Sequence, residues 1–397
     1  MSIYPGPRMT SPAVLRRVVH LVARLPVGGM ENVVVNLLRQ MPAARYDSEV
    51  WCLETSDVQG VELRSHSEPV FEFDKRRRRD PWLFVRLAQR LRQQRVDIVH
   101  CHDELSWFYG AIAARLSGRA RVIVTMHGRR AGMSRRHVIE QRILARTTEK
   151  IVTVSDYLHA QLVDELAPKP ARLVTIKNGI RLSENEGPDA PARARAKLGV
   201  AADVPLIGTV GELSTVKNIP LAIEAVGLAR RAVPHLRLAL VGDGALREAL
   251  GRLATAHGLE DAVHFVGLRR DVPELLHGFD VYLCSSDYEG ISLSILEAMA
   301  ASRPVLATAV GGNSELVAEG VTGRLVPPRD ADAMAAALIE MFRSPDRTRR
   351  LGARAQAFVH EAYSLERMIH DYDRLYSSVA HAHAEQSTSV VMPHGRI

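Results

Sequence analysis

The sequence carries only three cysteines in 397 residues, Cys52, Cys101 and Cys284, each alone in an apolar run. Such scarcity excludes a disulfide framework and fits buried, reduced thiols. No stretch reaches the eighteen or so uninterrupted apolar residues that a bilayer span requires, so any membrane contact is expected to be peripheral. The first thirty or so residues lack the apolar core of a secretory signal, because Arg16, Arg17 and Arg24 interrupt it, and a cytoplasmic location is the expectation. A dinucleotide fingerprint is missing too. The glycines of GGMEN at Gly28 and GDGALREAL at Gly242 do not complete G-x-G-x-x-G, which argues against nicotinamide-dependent oxidoreduction.

What is present describes an ordinary globular chain. Hydrophobic residues make up 46% and charged residues 24%, enough apolar material for two cores, and the length exceeds what one core usually holds. The formal charge is +7, spread along the chain except for the run Lys75, Arg76, Arg77, Arg78, Arg79. Such a run suits an anionic surface such as the inner face of a cell membrane, or a solvated loop. No aromatic residue interleaves with it, so nucleic acid is not an expected partner.

From about residue 17 the sequence alternates β-branched apolar runs with amphipathic helical stretches, the pattern of parallel strands buried on both faces and their crossover helices. The fold class is α/β, doubly wound. The first series of strands is VVHLVA (18–23), SEVWCLE (48–54), VFEF (70–73), DIVHC (97–101), RVIVTM (121–126), KIVTVS (150–155) and RLVTI (172–176). A polar, Pro- and Ala-rich stretch, SENEGPDAPARARA, then marks a linker. The second series is PLIGTVG (205–211), LRLALVG (236–242), AVHFVG (262–267), DVYLCS (280–285), PVLAT (304–308) and GRLVP (323–327).

Ligands in open parallel sheets sit at the carboxyl ends of strands, where helix N-termini present free amides. After DVYLCS, Glu289 precedes a predicted helix and Glu297 lies within it, about 9 Å beyond Ile291 along the axis. The amides of Gly290, Ile291, Ser292 and Leu293 lie between the two carboxylates. Carboxylates accept paired hydrogen bonds from sugar hydroxyls, whereas phosphates repel them. The two glutamates can therefore bracket an extended ligand whose phosphates face the amides; alternatively, Glu289 caps the helix and Glu297 is solvated.

The segment SSDYEGISLSILEAMAASRPVLATAVGGNSELV resembles the donor-site signature of family 4 glycosyltransferases, retaining enzymes of the GT-B fold. The resemblance covers almost the whole chain and implies two Rossmann-like domains facing a central cleft. The order becomes a disordered N-terminus (1–14), an acceptor domain (15–182), a linker (183–200), a nucleotide-sugar donor domain (201–362), a helix returning to the first domain (363–379) and a disordered tail (380–397). It implies that Glu297 binds the donor ribose and that Glu289, with the amides of Gly290, Ile291 and Ser292, holds the transferred sugar. Transfer with retention follows, the leaving diphosphate helping to accept the acceptor's proton. Members of this fold need no metal for catalysis, and no cofactor is expected beyond the donor, a UDP- or GDP-sugar.

Four further elements are read beside that frame. In GTVGELSTVKNIP, the Lys217 ammonium can neutralise a diphosphate as charge builds on the leaving oxygen. The family usually has an arginine where this chain has Glu212, a departure that places a carboxylate beside phosphates; Arg269 and Arg270 are candidates to compensate. Gly28 and Gly29 in PVGGMENVVVNLL open a helix after the first strand, and the resemblance sets them, with Glu31, beside donor phosphate and acceptor. His127 in TMHGRR ends a strand at the cleft and, by resemblance, contacts the transferred sugar, with a backbone carbonyl near its anomeric centre.

Arg129, Arg130, Arg135 and Arg136 follow and suit an anionic acceptor such as a lipid diphosphate, and Asp103 is expected to face the acceptor cleft. His100 and His102 share a strand face, but no further ligand cluster lies nearby in sequence, so no metal site is assigned. The chain is thus read as a glycosyltransferase moving a hexosyl or N-acetylhexosaminyl group to a glycan or lipid-linked acceptor. HLVARLPVGGMENVVVNLL further resembles exopolysaccharide-type members. The alternatives are a UDP-sugar epimerase and a binding protein with an impaired donor site.

Overall fold

The computed structural model describes residues 15–75, 80–128, 134–182 and 187–389. Residues 1–14 and 390–397, Arg76–Arg79 of the basic run, Arg129 and Arg130, and 183–186 of the linker lie outside the described residues. The first domain runs β1 (Arg16–Val22), α1 (Gly29–Gln40), β2 (Tyr46–Cys52), α2 (Val58–Ser65), β3 (Val70–Glu72), α3 (Pro81–Gln93), β4 (Ile98–Cys101), α4 (Glu104–Ser117), β5 (Arg121–Met126), α5 (Arg135–Ala145), β6 (Lys150–Thr153), α6 (Asp156–Leu166) and β7 (Leu173–Thr175). The second opens with α7 (Ala190–Leu198), β8 (Leu206–Val210), α8 (Ile219–Ala229), β9 (Arg237–Val241), α9 (Arg247–Ala256), β10 (Val263–Gly267) and α10 (Val272–Leu276). It continues with β11 (Val281–Cys284), α11 (Leu293–Ala300), β12 (Val305–Thr308), α12 (Asn313–Leu316), β13 (Gly323–Val326), α13 (Ala331–Arg343) and α14 (Pro345–Ala362), before α15 (Leu365–Ser389).

Every predicted strand is present. Strands such as β4 (IVHC) and β11 (VYLC) are buried at each position, as strands covered by helices on both faces must be. All pairings within the two sheets are parallel, in the orders β3-β2-β1-β4-β5-β6-β7 and β10-β9-β8-β11-β12-β13. Each order reverses once, between β1 and β4 and between β8 and β11. The loops leaving those four strands open the crevices in which such sheets bind ligands.

The structure redraws two boundaries. Within the segment read as linker, residues 190–198 form α7, with Ala190, Ala194 and Leu198 buried; Ala194 and Leu198 pack beside Gly278. Pro191 at the first turn and Gly199 in the left-handed region delimit it, so residues that looked like spacer are the first helix of the second domain. The last helix runs to Ser389, ten residues past the expected end, so 380–389 is helix and not tail. Its first part packs on the first domain. Ile180 pairs with Ser364, and Met368, Tyr372, Leu375 and Tyr376 are buried against Val18, Ile98, Ile123 and Val152.

Candidate active site

The loops after β8 and β11 are sewn together. Ser285 Oγ donates to the Lys217 carbonyl (2.9 Å), the Asp287 amide to the Val216 carbonyl (2.8 Å), and Asn218 Nδ2 to Asp287 Oδ1 (2.9 Å). This stitching brings residues 72 apart in sequence into contact: Lys217 Nζ lies 2.7 Å from Glu289 Oε1, and Ser286 Oγ donates to the same oxygen at 2.6 Å. Burial pulls the Lys217 pKa down, but Glu289, Cys284 and Glu212 together outweigh it and hold the ammonium above its ordinary value. An ammonium has three donors, and Glu289 takes one. Ser285, Ser286, Asp287 and Asn218 were not among the predicted site residues; the polar S-S-D ahead of Glu289 was the available signal.

Helix α11 starts at Leu293, with Ser292 as N-cap accepting from the Ile295 amide at 3.4 Å. Gly290 and Ile291 therefore belong to the loop, and the helix begins two residues later than the sequence suggested. Gly290, Ile291 and Ser292 are buried, and their N–H groups donate to no other described residue. Unpaired buried amides are costly, and three in succession are fitted for an acceptor from outside the chain. One turn on, Glu297 is half-buried and its carboxyl makes no hydrogen bond among the described residues. Burial alone raises it to about 7.

The first domain faces this set closely. Gly28 is the N-cap of α1, Glu31 sits in its first turn, and Gly29 packs on Leu293 of α11, where an added Cβ would lie 3.4 Å from the leucine. Leu293 thus serves the interdomain contact with its side chain. Glu31 is raised to about 7 by burial, then by the charges of Asp103, Glu212 and Asp57. His127, half-buried at the end of β5, turns its carbonyl oxygen onto Gly290: a Cβ there would fall on that oxygen, so only glycine allows this approach. On the other side of the same loop, Gly311 has φ +50 and lies against the Glu289 carbonyl.

Behind His127 runs a buried row of imidazoles. His127 Nε2 is 3.3 Å from His102 Nδ1, and His102 Nε2 is 3.1 Å from His20 Nδ1. His100, its ring 4.0 Å from that of His102, has Nδ1 bonded to the Tyr376 hydroxyl and Nε2 to Thr125 Oγ1, both at 2.7 Å. His20, His100 and His102 come close enough to share an ion. However, both nitrogens of His100 and of His102 are taken by neighbours, a poor donor set for a metal. Burial depresses all four, His20 and His127 to about 3 and the two between them well below the usual histidine range.

Two expectations change. Asp103, read as facing the acceptor, uses both carboxylate oxygens locally: Oδ1 accepts the Ser106 amide (2.8 Å) in the capping box of α4, and Oδ2 accepts the Ala23 amide (2.6 Å). It fixes the exit of β1 and has no free oxygen to offer. Neither arginine suggested to compensate for Glu212 does so. Arg269 is paired with Asp271 (2.7 Å), and Arg270 reaches across to Glu62 of α2 (3.3 Å). Glu212 itself is exposed and lines the same crevice as Lys217; its charge is felt by both Lys217 and Glu31, so it does not turn away.

Comparison with known proteins agrees with the fold. Residues 27–184 match Glycosyltransferase Family 4 and residues 192–358 match Glycosyl transferases group 1. A D-inositol 3-phosphate glycosyltransferase of Frankia alni is 30% identical over 370 residues, spanning 83% of this chain and 89% of the relative. A UDP-Gal:alpha-D-GlcNAc-diphosphoundecaprenol alpha-1,3-galactosyltransferase of Escherichia coli is 25% identical over 342 residues, 82% and 87% of the two chains. Anabaena HepE, solved in complex with UDP-glucose, superposes with a TM-score of 0.82 over 91% of this chain and 99% of that one at 22% identity, a likeness of fold. None of these findings supports the epimerase reading. With two parallel doubly wound domains of GT-B type, meeting where the loop that carries Glu289 to Lys217 rests on the His127 carbonyl, the chain belongs to the family 4 glycosyltransferases.

Proposed function

We propose that the enzyme transfers a hexosyl or N-acetylhexosaminyl group, with retention, from a UDP- or GDP-sugar to a glycan or lipid-linked acceptor in polysaccharide or glycolipid assembly. The observation that carries this reading is the Lys217–Glu289 pair at 2.7 Å, in a loop that also presents three amides bonded to no described residue and that leads into α11, where the Glu297 carboxyl has no hydrogen-bond partner among the described residues. A nucleotide sugar answers each of these groups. Ribose hydroxyls satisfy Glu297, diphosphate oxygens take the remaining donors of Lys217 and the amides ahead of α11, and the sugar hydroxyls meet Glu289. On this proposal the carbonyl of His127, which rests against Gly290, stabilises an oxocarbenium-like centre on the transferred sugar. In this reading the bond from anomeric carbon to diphosphate oxygen breaks, the acceptor oxygen adds from the same face, and its proton passes to the departing oxygen. Lys217 and the amides supply the positive potential without a metal ion. Names of the relatives that act on a diphosphoundecaprenol-linked sugar or bind UDP-glucose are in keeping with a lipid-linked acceptor and a uridine donor.

The test begins with thermal shift against UDP-, GDP- and ADP-sugars, since a ligand at about 100 times its dissociation constant adds roughly 2.7 kcal/mol. For the donor so found, Glu297→Ala is expected to weaken affinity about tenfold to a hundredfold by calorimetry, the worth of one charge-assisted hydrogen bond. Unchanged affinity would remove Glu297 from the donor site. The second reading, a binding protein with an impaired donor site, rests on Glu212; transfer or hydrolysis of any donor excludes it.

A further inference from the structure

At the end of the second sheet away from the crevice lies an open cavity of about 440 Å³, a size that small-molecule sites commonly have. Its floor is formed by the amino ends of three strands that lie side by side: Pro205 precedes β8, Asp280 precedes β11 and Pro304 precedes β12. Met341 and Phe342 at the end of α13 and Pro345 at the start of α14 add apolar surface. β8 is five residues long, so roughly 16 Å of strand separates the cavity from the loop that carries Lys217. A ligand held here is out of reach of the transferred sugar.

The charges on the cavity floor do not cancel. Arg195, only 7% exposed, donates through Nη1 to the carbonyls of Ala201 (3.0 Å) and Val204 (2.8 Å) and through Nη2 to Asp280 Oδ2 (2.8 Å). The Leu206 amide donates to that same oxygen at 2.8 Å, which leaves Asp280 Oδ1 without a partner among the described residues. Arg303 spends Nε on the Ala301 carbonyl (2.9 Å) and Nη1 on those of His277 (3.2 Å) and Phe279 (3.0 Å); its Nη2 bonds no described residue. Burial holds this guanidinium below its ordinary value, with Asp280 opposing the shift and Arg195 adding to it. Two guanidiniums thus share one carboxylate, and the charge left over is positive. At the rim, Arg349 is exposed and pairs with Asp346 of its own helix, and Gly352 one turn on packs against Ser302 and Pro304, which sets Arg349 on the β12 side. Asp203, ahead of β8, is exposed and unpaired among the described residues.

We propose that this cavity binds a small phosphorylated polyol or sugar, its phosphate on Arg303 and Arg349 at the β12 side and its hydroxyls on Asp280 and Asp203 toward β8. A phosphate ester carries close to two negative charges at neutral pH, enough for two guanidiniums, and its oxygens accept from the Nη2 donors that the protein leaves open. Hydroxyls donate to the carboxylate oxygens that have no other partner. From β12 to β8 is two strand spacings, about 10 Å, the span of a monosaccharide with a phosphate at one end. An apolar molecule of the same size would cover Arg303 and Asp280 without bonding either, which is costly. This site does not depend on the donor assignment.

Calorimetry on the full chain with glucose 6-phosphate, glucose and inorganic phosphate is the measurement. Glucose 6-phosphate is expected to bind saturably and at least about tenfold more tightly than glucose, which lacks the charge-assisted bonds. Arg303→Gln should weaken it about tenfold to a hundredfold. Because Arg303 also holds three carbonyls, the exposed Arg349→Gln, with an expected loss of up to about fivefold, reads the same end of the cavity without disturbing the fold. Asp203→Asn should cost glucose 6-phosphate up to about fivefold and leave inorganic phosphate unaffected. Lys217→Ala should leave the binding of glucose 6-phosphate intact. The proposal is overturned if glucose 6-phosphate does not bind, if glucose binds equally well, or if Arg349→Gln and Asp203→Asn both leave its affinity unchanged. It is overturned as well if Lys217→Ala abolishes binding, because the phosphate would then lie in the crevice.

Discussion

Glu212 sets the sharpest question at the level of single residues. It stands in the loop that delivers Lys217, near enough for its charge to be felt by both Lys217 and Glu31, and neither Arg269 nor Arg270 is positioned to offset it. A diphosphate entering the crevice would meet that carboxylate, so Glu212→Gln is expected to tighten donor binding. The gain should reach up to about fivefold, the limit for an exposed charge, and shrink as ionic strength rises. Calorimetry of the two proteins at low and high salt reads this; donor affinity that falls in Glu212→Gln would mean that Glu212 grips the donor, through a hydroxyl. The other residues of the crevice differ in how visible they were. Glu289 and Glu297 share one short segment whose neighbours identify it. The contact between His127 and Gly290 joins residues 163 positions apart, and no local pattern announces that a carbonyl from one sheet will rest on a glycine from the other.

Among the elements, α15 and β4 act as a unit. Tyr376 bonds His100, Tyr372 bonds Thr125 at 3.0 Å, and His100 lies against His102, so the returning helix secures the row of imidazoles that ends at His127. All four histidines are buried or half-buried and have depressed pKa values, which fixes the direction of the pH dependence. Each contributes stability that is present above its unfolded value near 6.5 and is lost as pH falls below it, for His20 and His127 toward about 3, because the unfolded chain takes up the proton first. Glu31 and Glu297, raised to about 7, oppose this, since their contribution is present below about 4.5 and lost as pH rises to 7. Four rings outweigh two carboxyls, so the melting temperature should fall as pH drops from 6.5 to 4.5, and His20→Gln should flatten that limb. A melting temperature that is level or rising toward acid would refute the neutral row. Much of this level was readable in advance: strands covered on both faces are unbroken β-branched runs, and all thirteen were found. Helix α7 and the last ten residues of α15 were missed because PARARA and HAHAEQSTS carry no apolar stripe to betray a helix.

Over the whole molecule, the domains touch at several points around the crevice. Gly29 meets Leu293, the loop after β5 meets Gly290, and the carboxylate of Glu315 on α12 accepts the amides of Asp156 (3.0 Å) and Tyr157 (2.5 Å) at the N-terminus of α6. On the second domain's side of the crevice, the space beside Gly211, Glu212 and Lys217 is about 10 Å³, the room of one water. A nucleotide sugar is far larger, and parting of the domains at these contacts is the expected route by which it enters. The chain crosses between them twice, after β7 and at the Ile180–Ser364 pairing, and a hinge at these crossings would leave both sheets intact. Small-angle scattering should therefore find a larger radius of gyration without donor than with a saturating donor. Glu315→Ala removes the strap from α6 and should shift the balance toward the open form, weakening donor affinity up to about fivefold through a contact that never touches the donor, while the melting temperature stays near that of the native chain. Identical scattering curves with and without a donor proven to bind would show that the crevice is filled by local rearrangement, and Glu315 would then be a surface contact without influence on binding.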